Sequence, residues 1–385
     1  MVKFGHMSDV HLGGWKQEPL RDLNFKSFQK SLDICINEKV DFLLIVGDLF
    51  DTAYPPIEIL KETFSEFKRL KEEGIPCFII SGSHDYSISG KTFLEVLEKG
   101  GFCKNVADFE ETEDEIILNP TRHGEVTFYG FPGKKSGLDI KDLKKIRLKD
   151  APGFKILMLH TTIDKVVGDL PIDYVEADSL PESDYCALGH IHKRFQYKNF
   201  VYPGPIFPNN FAELEDLKHG SFCIVDTQNE TIMKRVEIPL KEIEQISVEV
   251  NDGLTATDQI ISELKNRNIN DKIVLLRVKG LLENSKQSDI NFSRIEDFAK
   301  QLGAYFFLKN THELKTKELE FESEIEDSEN LEEEMIKLYS EKNPSDLDSL
   351  IPSLMDSLSI EKEEGETTDN FTTRLFGESR KILGV

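Results

Sequence analysis

The sequence lacks the features of a membrane, secreted or disulfide-stabilised protein. No apolar run in its 385 residues approaches the ~20 that a membrane-spanning helix needs. Residues 1–9 read as a strand without the apolar core and cleavage site of a signal peptide, so we expect an intracellular, cytoplasmic protein with no membrane partner. The five cysteines form no CxxC pair and mostly lie in apolar runs, which predicts reduced core residues.

Basic residues are scarce as well. The chain has 47 Lys and Arg against 71 Asp and Glu, a net charge of −24, which by itself argues against nucleic-acid binding, because phosphates require local positive charge. The acidic excess is uneven: residues 313–385 hold 21 acidic and 8 basic side chains. The total charge therefore says little about residues 1–312.

Hydrophobic residues make up 39% of the chain, enough for a core, and the length predicts two domains plus an appendage. Apolar strands at 2–7, 42–46 and 77–80 alternate with helical spacing at 25–37 and 57–73, which indicates an α/β domain. The strand candidates that follow have little helix between them. We expect two facing sheets flanked by helices over residues 1–240.

Two further segments follow that domain. Residues 241–312 show a β-α-β-α-β pattern, which predicts a small α+β domain. Residues 313–385 are acidic, with helical apolar spacing at 330–341 and 346–358. We expect a helical tail there.

Five apolar strands of this chain are followed by a histidine or an aspartate. The segments are Asp9-Val10-His11, Gly47-Asp48-Leu49-Phe50-Asp51, Gly82-Ser83-His84-Asp85, His160 and Gly189-His190-Ile191-His192. Strand ends converge at one edge of such folds, where ligands bind. Mixed imidazole and carboxylate ligands suit Mn²⁺, Fe²⁺ or Zn²⁺, and a pair of such ions about 3.5–4 Å apart clamps a phosphoester. Asp48 is the natural bridging carboxylate.

In this order, D-x-H, G-D-x-x-D, G-S-H-D in place of G-N-H-D, a lone His and G-H-x-H resemble the calcineurin-like metallophosphoesterases. The stretches HLG at 11–13, GDLFD at 47–51, LGHIHK at 188–193 and YPGP at 202–205 resemble, more narrowly, a double-strand-break repair nuclease subunit. It is called SbcD in bacteria and the meiotic recombination eleven nuclease in archaea and eukaryotes. The resemblance implies the metallophosphoesterase fold, with 241–312 as a capping domain.

The resemblance also implies roles for individual residues and two Mn²⁺ per chain. The first metal position would consist of Asp9, His11, Asp48 and His192. The second metal position would consist of Asp48, Ser83, His160 and His190. His84 matches the catalytic histidine, which would stabilise the phosphate or protonate the leaving oxygen, with Asp85 orienting its ring.

Ser83 departs from the family pattern, which has Asn at this position. A hydroxyl is shorter than an amide and a poorer metal ligand, so a water would sit between Ser83 and the ion, and the second metal would bind more weakly. The alternative is a harmless family variation.

Phosphate contacts of a nuclease require basic groups near the metals. Lys193 and Arg194 follow the H-x-H motif directly, and Lys134 and Lys135 begin the most basic stretch, which would otherwise be a solvated helix face. Trp15, the only tryptophan, would stack on a base, pack in an interface or belong to the core.

By resemblance, two protein partners are expected. Phe25, Phe28 and Leu32 would form the face of a homodimer, although their spacing also fits core packing. The tail helices would bind an ABC-type ATPase at the base of its coiled coil; a solvated tail is the alternative.

The sequence therefore predicts a manganese-dependent DNA nuclease subunit with 3′-to-5′ exonuclease and single-strand endonuclease activity. One alternative is another metallophosphoesterase, acting on a cyclic nucleotide, a nucleotide or a phosphoprotein. The other is a DNA-tethering scaffold whose chemistry is weakened by Ser83.

Overall fold

The computed structural model describes residues 2–85, 92–134, 139–168, 172–228, 231–283, 285–317, 350–358, 360 and 368–383. The chain forms two compact units. The first contains Met1–Ile246, Asn266–Leu276 and Glu296–Asn310, and the second contains Ser247–Lys265, Arg277–Ile295 and Thr311–Val385. The three-part division predicted from the sequence, at residues 240 and 312, stays a prediction.

The described helices and strands include those predicted for residues 1–310 and several shorter elements that were not predicted. The helices are α1 (Glu18–Asn37), α2 (Ile57–Glu72), α3 (Phe93–Lys99), α4 (Asp139–Leu143), α5 (Asp164–Val167), α6 (Phe211–Leu217), α7 (Gly253–Lys265), α8 (Phe292–Gln301), a first tail helix (Ile351–Leu358) and a second tail helix (Thr368–Leu383). The strands are β1 (Lys3–Met7), β2 (Phe42–Val46), β3 (Cys77–Ile80), β4 (Lys104–Asn105), β5 (Phe109–Glu111), β6 (Ile116–Leu118), β7 (Thr121–His123), β8 (Val126–Phe131), β9 (Ile146–Leu148), β10 (Phe154–His160), β11 (Tyr185–Gly189), β12 (Phe195–Tyr197), β13 (Phe200–Tyr202), β14 (Gly220–Asp226), β15 (Ile232–Ile238), β16 (Ile243–Glu249), β17 (Ile273–Leu282), β18 (Phe306–Asn310) and β19 (Leu314–Thr316).

Two six-stranded mixed sheets organise the first unit. The first sheet has the order β15-β14-β1-β2-β3-β4, with β1 to β4 parallel and β14 and β15 antiparallel. The second has the order β12-β13-β11-β10-β8-β7, with four central parallel strands and an antiparallel strand at each edge. The α/β class and the presence of two sheets with flanking helices are confirmed.

A layer of buried side chains fills the space between these sheets. The rings of Phe78 in β3 and Phe128 in β8 stack with centroids 4.0 Å apart, and Phe42 in β2 meets Phe128 edge-on at 5.2 Å. Fully burying one such side chain stabilises a fold by about 1.5–3 kcal/mol. Every residue of β2 is buried, because this strand packs on both faces, which explains its unbroken apolar sequence.

Helix α1 packs one face on the other side of the first sheet. It begins at Glu18, seven residues earlier than predicted, since Pro19 is tolerated in the first turn of a helix. Phe28 and Leu32 are fully buried in the core, and Phe25 is partly buried against it. The core alternative is therefore correct for Phe28 and Leu32, and these two side chains do not form an exposed homodimer face.

Smaller sheets complete the described structure. One has the order β16-β17-β18 with β19 beside β17, and another has the order β5-β6-β9. The order β16-α7-β17-α8-β18 is the β-α-β-α-β pattern expected from the sequence. All five cysteines are free, as predicted. Among the described residues, no helix combines the length and the apolar character that crossing a bilayer requires.

The tail contains two helices that pack on each other. Within the predicted helix 346–358, the structure describes Ile351–Leu358 as helical, and the predicted helix 330–341 lies outside the described residues. The second tail helix was not predicted. The hydroxyls of Ser357 and Ser379, both buried, lie 3.3 Å apart between the two helices.

Candidate metal centre

The parallel strands of both sheets end at a common edge, and the candidate ligands follow those ends. In the first sheet β1 pairs with β2, and β2 with β3, so that Val46 lies opposite Ile80. In the second sheet, His160 at the end of β10 lies opposite Gly189 at the end of β11. The register aligns the strand ends within each sheet, and the hydrogen bond from His160 Nδ1 to the Val46 carbonyl joins the two edges at 2.9 Å.

Backbone strain is concentrated at these strand ends. Among the described residues, eight non-glycine residues have positive φ, and four of them are candidate ligands: Asp9 (53°), His11 (47°), Asp48 (51°) and His190 (94°). Such conformations cost of order 1–3 kcal/mol each and persist where the surrounding structure enforces them. The strain turns the chain sharply after each strand and indicates a functional site.

The residues of the first metal position lie together. Ligand atoms of Asp9, His11 and His192 are all within 4.8 Å of one another. The Nε2 atoms of His11 and His192 are 3.1 Å apart, and His192 Nε2 is 3.6 Å from Asp9 Oδ1. Asp48 Oδ2 lies 3.7 Å from His11 Nε2.

The second metal position shares Asp48 with the first. Asp48 Oδ2 is 3.1 Å from His160 Nε2, and the Ser83 hydroxyl donates to the same oxygen at 3.3 Å. The His190 ring meets the His160 ring with centroids 5.2 Å apart. Asp48 thus faces both histidine groups, which is the placement that a bridging carboxylate requires.

The hydrogen bonds of His11 and His192 aim their other nitrogens at one point. His11 Nδ1 lies 3.1 Å from Asp51 Oδ1, and His192 Nδ1 lies 2.9 Å from Glu213 Oε1. A carboxylate accepts only, so we assign the ring protons to Nδ1, which leaves a lone pair on each Nε2. Two lone pairs facing each other across 3.1 Å call for a cation or an extra proton between them. This donor set fits a metal ion.

His160 gives the same indication in the second metal position. Its Nδ1 donates to the Val46 carbonyl at 2.9 Å, and its Nε2 is fully buried. That nitrogen faces the Asp48 carboxylate. Burial lowers the pKa of His160, but the Asp48 carboxylate outweighs burial and raises the pKa to about 10. A proton or a metal ion is therefore favoured at this nitrogen.

Two other histidines of the site have shifted pKa values in opposite directions. Burial lowers the pKa of His192, but hydrogen bonding to Glu213 and the charge of Asp9 outweigh it and raise the pKa to about 9. Burial and the neighbouring His160 lower the pKa of His190 to about 4. His190 is thus neutral at pH 7, the form in which imidazole ligates a metal.

Two glycines allow the close approach of these groups. A Cβ on Gly47, which has a φ of +79°, would lie 2.1 Å from His160 Nδ1. A Cβ on Gly82 would lie 2.2 Å from Asp48 Oδ1. Any side chain at either position would displace the neighbouring ligand, so the G-D and G-S-H-D segments require glycine here.

The sequence that forms this site matches a known protein family. A sequence model described as calcineurin-like phosphoesterase matches residues 2–194, half of the chain. The chain belongs to the calcineurin-like phosphoesterases. Their two-metal chemistry agrees with the donor sets described above.

Several curated proteins are similar to this phosphoesterase. DNA double-strand break repair protein Mre11 of Aeropyrum pernix is 28% identical over 270 residues, 66% of this chain and 65% of that protein. The protein of the same name from Archaeoglobus fulgidus is 28% identical over 320 residues, 72% and 68% of the two chains. The uncharacterized metallophosphoesterase YhaO of Bacillus subtilis is 29% identical over 281 residues, 68% and 67%. The chain spans about two thirds of the length of these relatives.

His84 lies beside the metal positions with its ring half exposed. Its Nδ1 donates to the Asp51 carbonyl at 2.8 Å, and its backbone N–H donates to Asp48 Oδ1 at 2.7 Å. Its ring packs edge-on against the His11 ring at 4.7 Å. These contacts fix the ring, with Nδ1 as the bonded nitrogen.

Asp85 does not orient that ring, contrary to the prediction. Its carboxylate accepts the backbone N–H groups of Leu49, Phe50 and Gly82 at 3.0–3.1 Å and is buried. Consecutive side chains in this turn point in different directions, so His84 is held by Asp51 instead. Burial and the Asp48 charge raise the pKa of Asp85 to about 6. Asp85 braces the loops that follow β2 and β3.

Two carboxylates of the phosphoesterase site have roles that the sequence motifs did not predict. Asp51, the last residue of the G-D-x-x-D segment, accepts the His11 Nδ1–H at 3.1 Å. Glu213 lies in α6, outside the quoted motifs and 21 positions after His192, and accepts the His192 Nδ1–H. The available signal was the sequence Asn210-Phe211-Ala212-Glu213, a helix start in which Asn210 caps the Glu213 N–H at 3.0 Å.

Two of the predicted DNA contacts are engaged elsewhere. Trp15 is 7% exposed, packs with Leu20 and Leu214, and donates its indole N–H to the Pro208 carbonyl at 2.9 Å. The prediction that Trp15 stacks on a base is wrong, because both faces of its indole ring are buried in the core. Arg194 donates to the carbonyls of Leu217 and His219 and pairs with Glu237, so its guanidinium braces the structure.

The predicted lysines differ in their surroundings. Lys134 pairs with Asp142 at 2.7 Å and lies over the Phe131 ring. Lys135 lies outside the described residues. Lys193 is exposed and has no ion pair among the described residues, so it is the predicted cation that a phosphate would reach most readily.

Proposed function

We propose that this phosphoesterase is the manganese-dependent DNA nuclease subunit of a double-strand-break repair complex. The main support is the convergence of two histidine groups on Asp48, with the buried Nε2 of His160 lying 3.1 Å from Asp48 Oδ2. The similarity to DNA double-strand break repair proteins named Mre11 supports DNA as the substrate. The proposed activities, implied by the family resemblance, are 3′-to-5′ exonuclease and single-strand endonuclease.

The chain's own residues would divide the catalytic work. The two groups defined above would each hold one Mn²⁺, with Ser83 the weakest ligand. A pair of divalent ions supplies an activated water and neutralises charge on the phosphate. His84, fixed through Nδ1, would present Nε2 to the leaving oxygen or to the phosphate. Its half-exposed ring supports contact with a substrate.

Substrate and partner contacts are also part of the proposal. Exposed Lys193 would contact a DNA phosphate one residue after His192. The tail helices expose Met355, Leu358, Phe376 and Leu383, an apolar surface on which the coiled coil of an ABC-type ATPase would dock. The small α+β segment at 241–312 would cap the nuclease domain, and a homodimer would form through a surface other than Phe28 and Leu32.

The test is cleavage of labelled single- and double-stranded DNA by the purified chain, with Mn²⁺ or with a chelator. Cutting that requires Mn²⁺ and is lost in His84→Ala supports the nuclease. No cutting by the wild-type chain, while the protein hydrolyses a small phosphodiester, contradicts it.

Another phosphoesterase activity is the second candidate, because YhaO, an uncharacterized metallophosphoesterase, is as similar to this chain as the Mre11 proteins are. A cyclic nucleotide, a nucleotide or a phosphoprotein would then be the substrate. Mn²⁺-dependent hydrolysis of one of these, without DNA cutting, favours it. A DNA-tethering scaffold would instead support ATP-dependent tethering without any Mn²⁺-stimulated cutting.

A further inference from the structure

The histidines of the two metal positions are supported by different kinds of acceptor. His192 Nδ1 donates a hydrogen bond to the Glu213 carboxylate at 2.9 Å, and His11 Nδ1 donates one to the Asp51 carboxylate at 3.1 Å. In the second metal position, His160 Nδ1 donates to a neutral acceptor, the backbone carbonyl of Val46, at 2.9 Å. A charged acceptor makes the opposite ring nitrogen a stronger electron donor than a neutral one does.

Glu213 is itself held in a fixed direction. Its Oε2 accepts the Asn209 N–H at 2.7 Å, and its Oε1 accepts from the Asn210 side-chain amide at 2.7 Å as well as facing His192. The backbone N–H of Glu213 donates to the side-chain oxygen of Asn210 at 3.0 Å. The start of α6 therefore sets the direction of the carboxylate, and little rotamer freedom remains to be lost when the ring of His192 is fixed.

The rest of α6 is anchored near the same stretch of chain. Arg194, two residues after His192, donates to the Leu217 carbonyl at 3.2 Å and to the His219 carbonyl, at the end of α6. Leu214 in the middle of the helix is fully buried. Segment 192–194 thus contacts α6 near both ends, which makes the helix a rigid support for His192.

We propose that Glu213 is a positioning residue: held by the start of α6, it fixes His192 with Nε2 as the free nitrogen and makes the first metal position the tighter of the two. The proposal rests on the metal-dependent function proposed above. Asp51 acts in the same way on His11. Outer-shell partners of this kind are worth about 10- to 100-fold in metal affinity.

The test is a calorimetric titration of the metal-free full chain with Mn²⁺. Wild type should bind in two steps of unequal affinity. Glu213→Ala should weaken the tighter step by about 10- to 100-fold and leave the weaker step unchanged, while Glu213→Gln, which keeps an acceptor oxygen without the charge, should have a smaller effect. The matched control is Asp216→Asn, which removes one charge from an exposed residue of the same helix and should match wild type.

Thermal unfolding of each metal-free variant separates positioning from a loss of fold. If Glu213→Ala does not fold, Glu213→Gln decides, since it keeps the shape of the side chain. With Co²⁺ as the probe, Glu213→Gln should also shift the visible absorption of the first equivalent bound. A folded Glu213→Gln protein with wild-type affinity and spectrum overturns the proposal, as does a change confined to the weaker step. A wild-type chain that binds no Mn²⁺ overturns both this proposal and the proposed function.

Discussion

The two metal positions of this phosphoesterase share Asp48, but their other ligands differ in residue type and in the groups that accept their hydrogen bonds. The first has two histidines, each hydrogen-bonded to a carboxylate, and its ligands lie in the segments that follow β1, β2 and β11. The second has His160 backed by a backbone carbonyl, a neutral His190, and a serine where the family has asparagine. Electron-rich ligands favour a cation, so the comparison indicates a tight first metal position and a weaker, more exchangeable second one.

The difference has a structural origin. The Asp51 and Glu213 carboxylates reach the first metal position from a loop and a helix start, which offer side chains in many directions. His160 is the last residue of a central strand, where the nearest acceptor is the Val46 carbonyl at the end of β2. Position in the sheet therefore limits what can support each ligand.

Asp48→Asn should have the largest effect, because both metal positions depend on this carboxylate. We expect loss of both Mn²⁺ binding steps and a fall in phosphodiester hydrolysis of about 10³-fold, the factor that several kcal/mol of metal stabilisation represents. Calorimetry and hydrolysis rates check this, with Asp216→Asn as the control. Retention of one intact step would show that Asp48 does not bridge.

His84→Ala should lower hydrolysis by about 10²- to 10⁴-fold, as expected when a general acid is removed, with both Mn²⁺ steps retained. His84 also lies within 4.8 Å of His11 and Asp48 through its ligand atoms, so the titration is informative. If one binding step disappears in the variant, His84 is a ligand and the assignment of the first metal position must change.

Mn²⁺ affinity should rise with pH between about 7 and 9–10. The raised pKa values of His192, about 9, and His160, about 10, mean that a metal must displace a proton in each metal position. Calorimetry at pH 8 in buffers of different ionisation enthalpy should detect proton release in both steps. Proton release in only one of the two steps would show that one of these two rings is not protonated in the metal-free protein.

The same shifts make the metal-free protein less stable at high pH. Protonated His160 and His192 contribute stability that is fully present below their ordinary pKa of 6.5 and is lost as the pH rises towards 9–10. The melting temperature of the metal-free chain should fall over that range, and saturating Mn²⁺ should offset the fall. A flat profile without metal would contradict the assignment.

Ser83→Asn should have the smallest effect, and it should act on the second metal position alone. The amide would reach further than the hydroxyl now bonded to Asp48, so the weaker Mn²⁺ step should tighten by roughly tenfold or less, about 1.4 kcal/mol, and the tighter step should not change. Glu213→Gln is the reciprocal control, acting on the tighter step alone. Unchanged affinity would make Ser83 a harmless variation.

The sequence was sufficient wherever pattern and chemistry are local. Unbroken apolar runs identified β2 and β3 to the residue, because a strand buried on both faces leaves little choice of side chain. His and Asp at strand ends identified residues that the fold then brought together. The β-α-β-α-β order after residue 241 followed from periodicity in the same way.

Errors arose where long-range contacts decide. Lys193 and Arg194 are neighbours in sequence, yet one is exposed and the other is bound to the end of α6. Trp15 is close to a metal motif along the chain but packs in the core. The second tail helix was not predicted, and it packs on the first, as the buried Ser357–Ser379 contact shows.

Side-chain chemistry and short-range periodicity were enough to predict the longer strands, the order of the chemical segments and the residue types able to bind metal. Only the tertiary structure decided which groups face each other: Glu213 on His192, Asp51 on both His11 and His84, and Asp85 on three backbone amides. Such pairings join residues up to 40 positions apart in these four cases and far more across the two sheets, and they depend on the direction in which each turn aims a side chain. No local pattern encodes that direction.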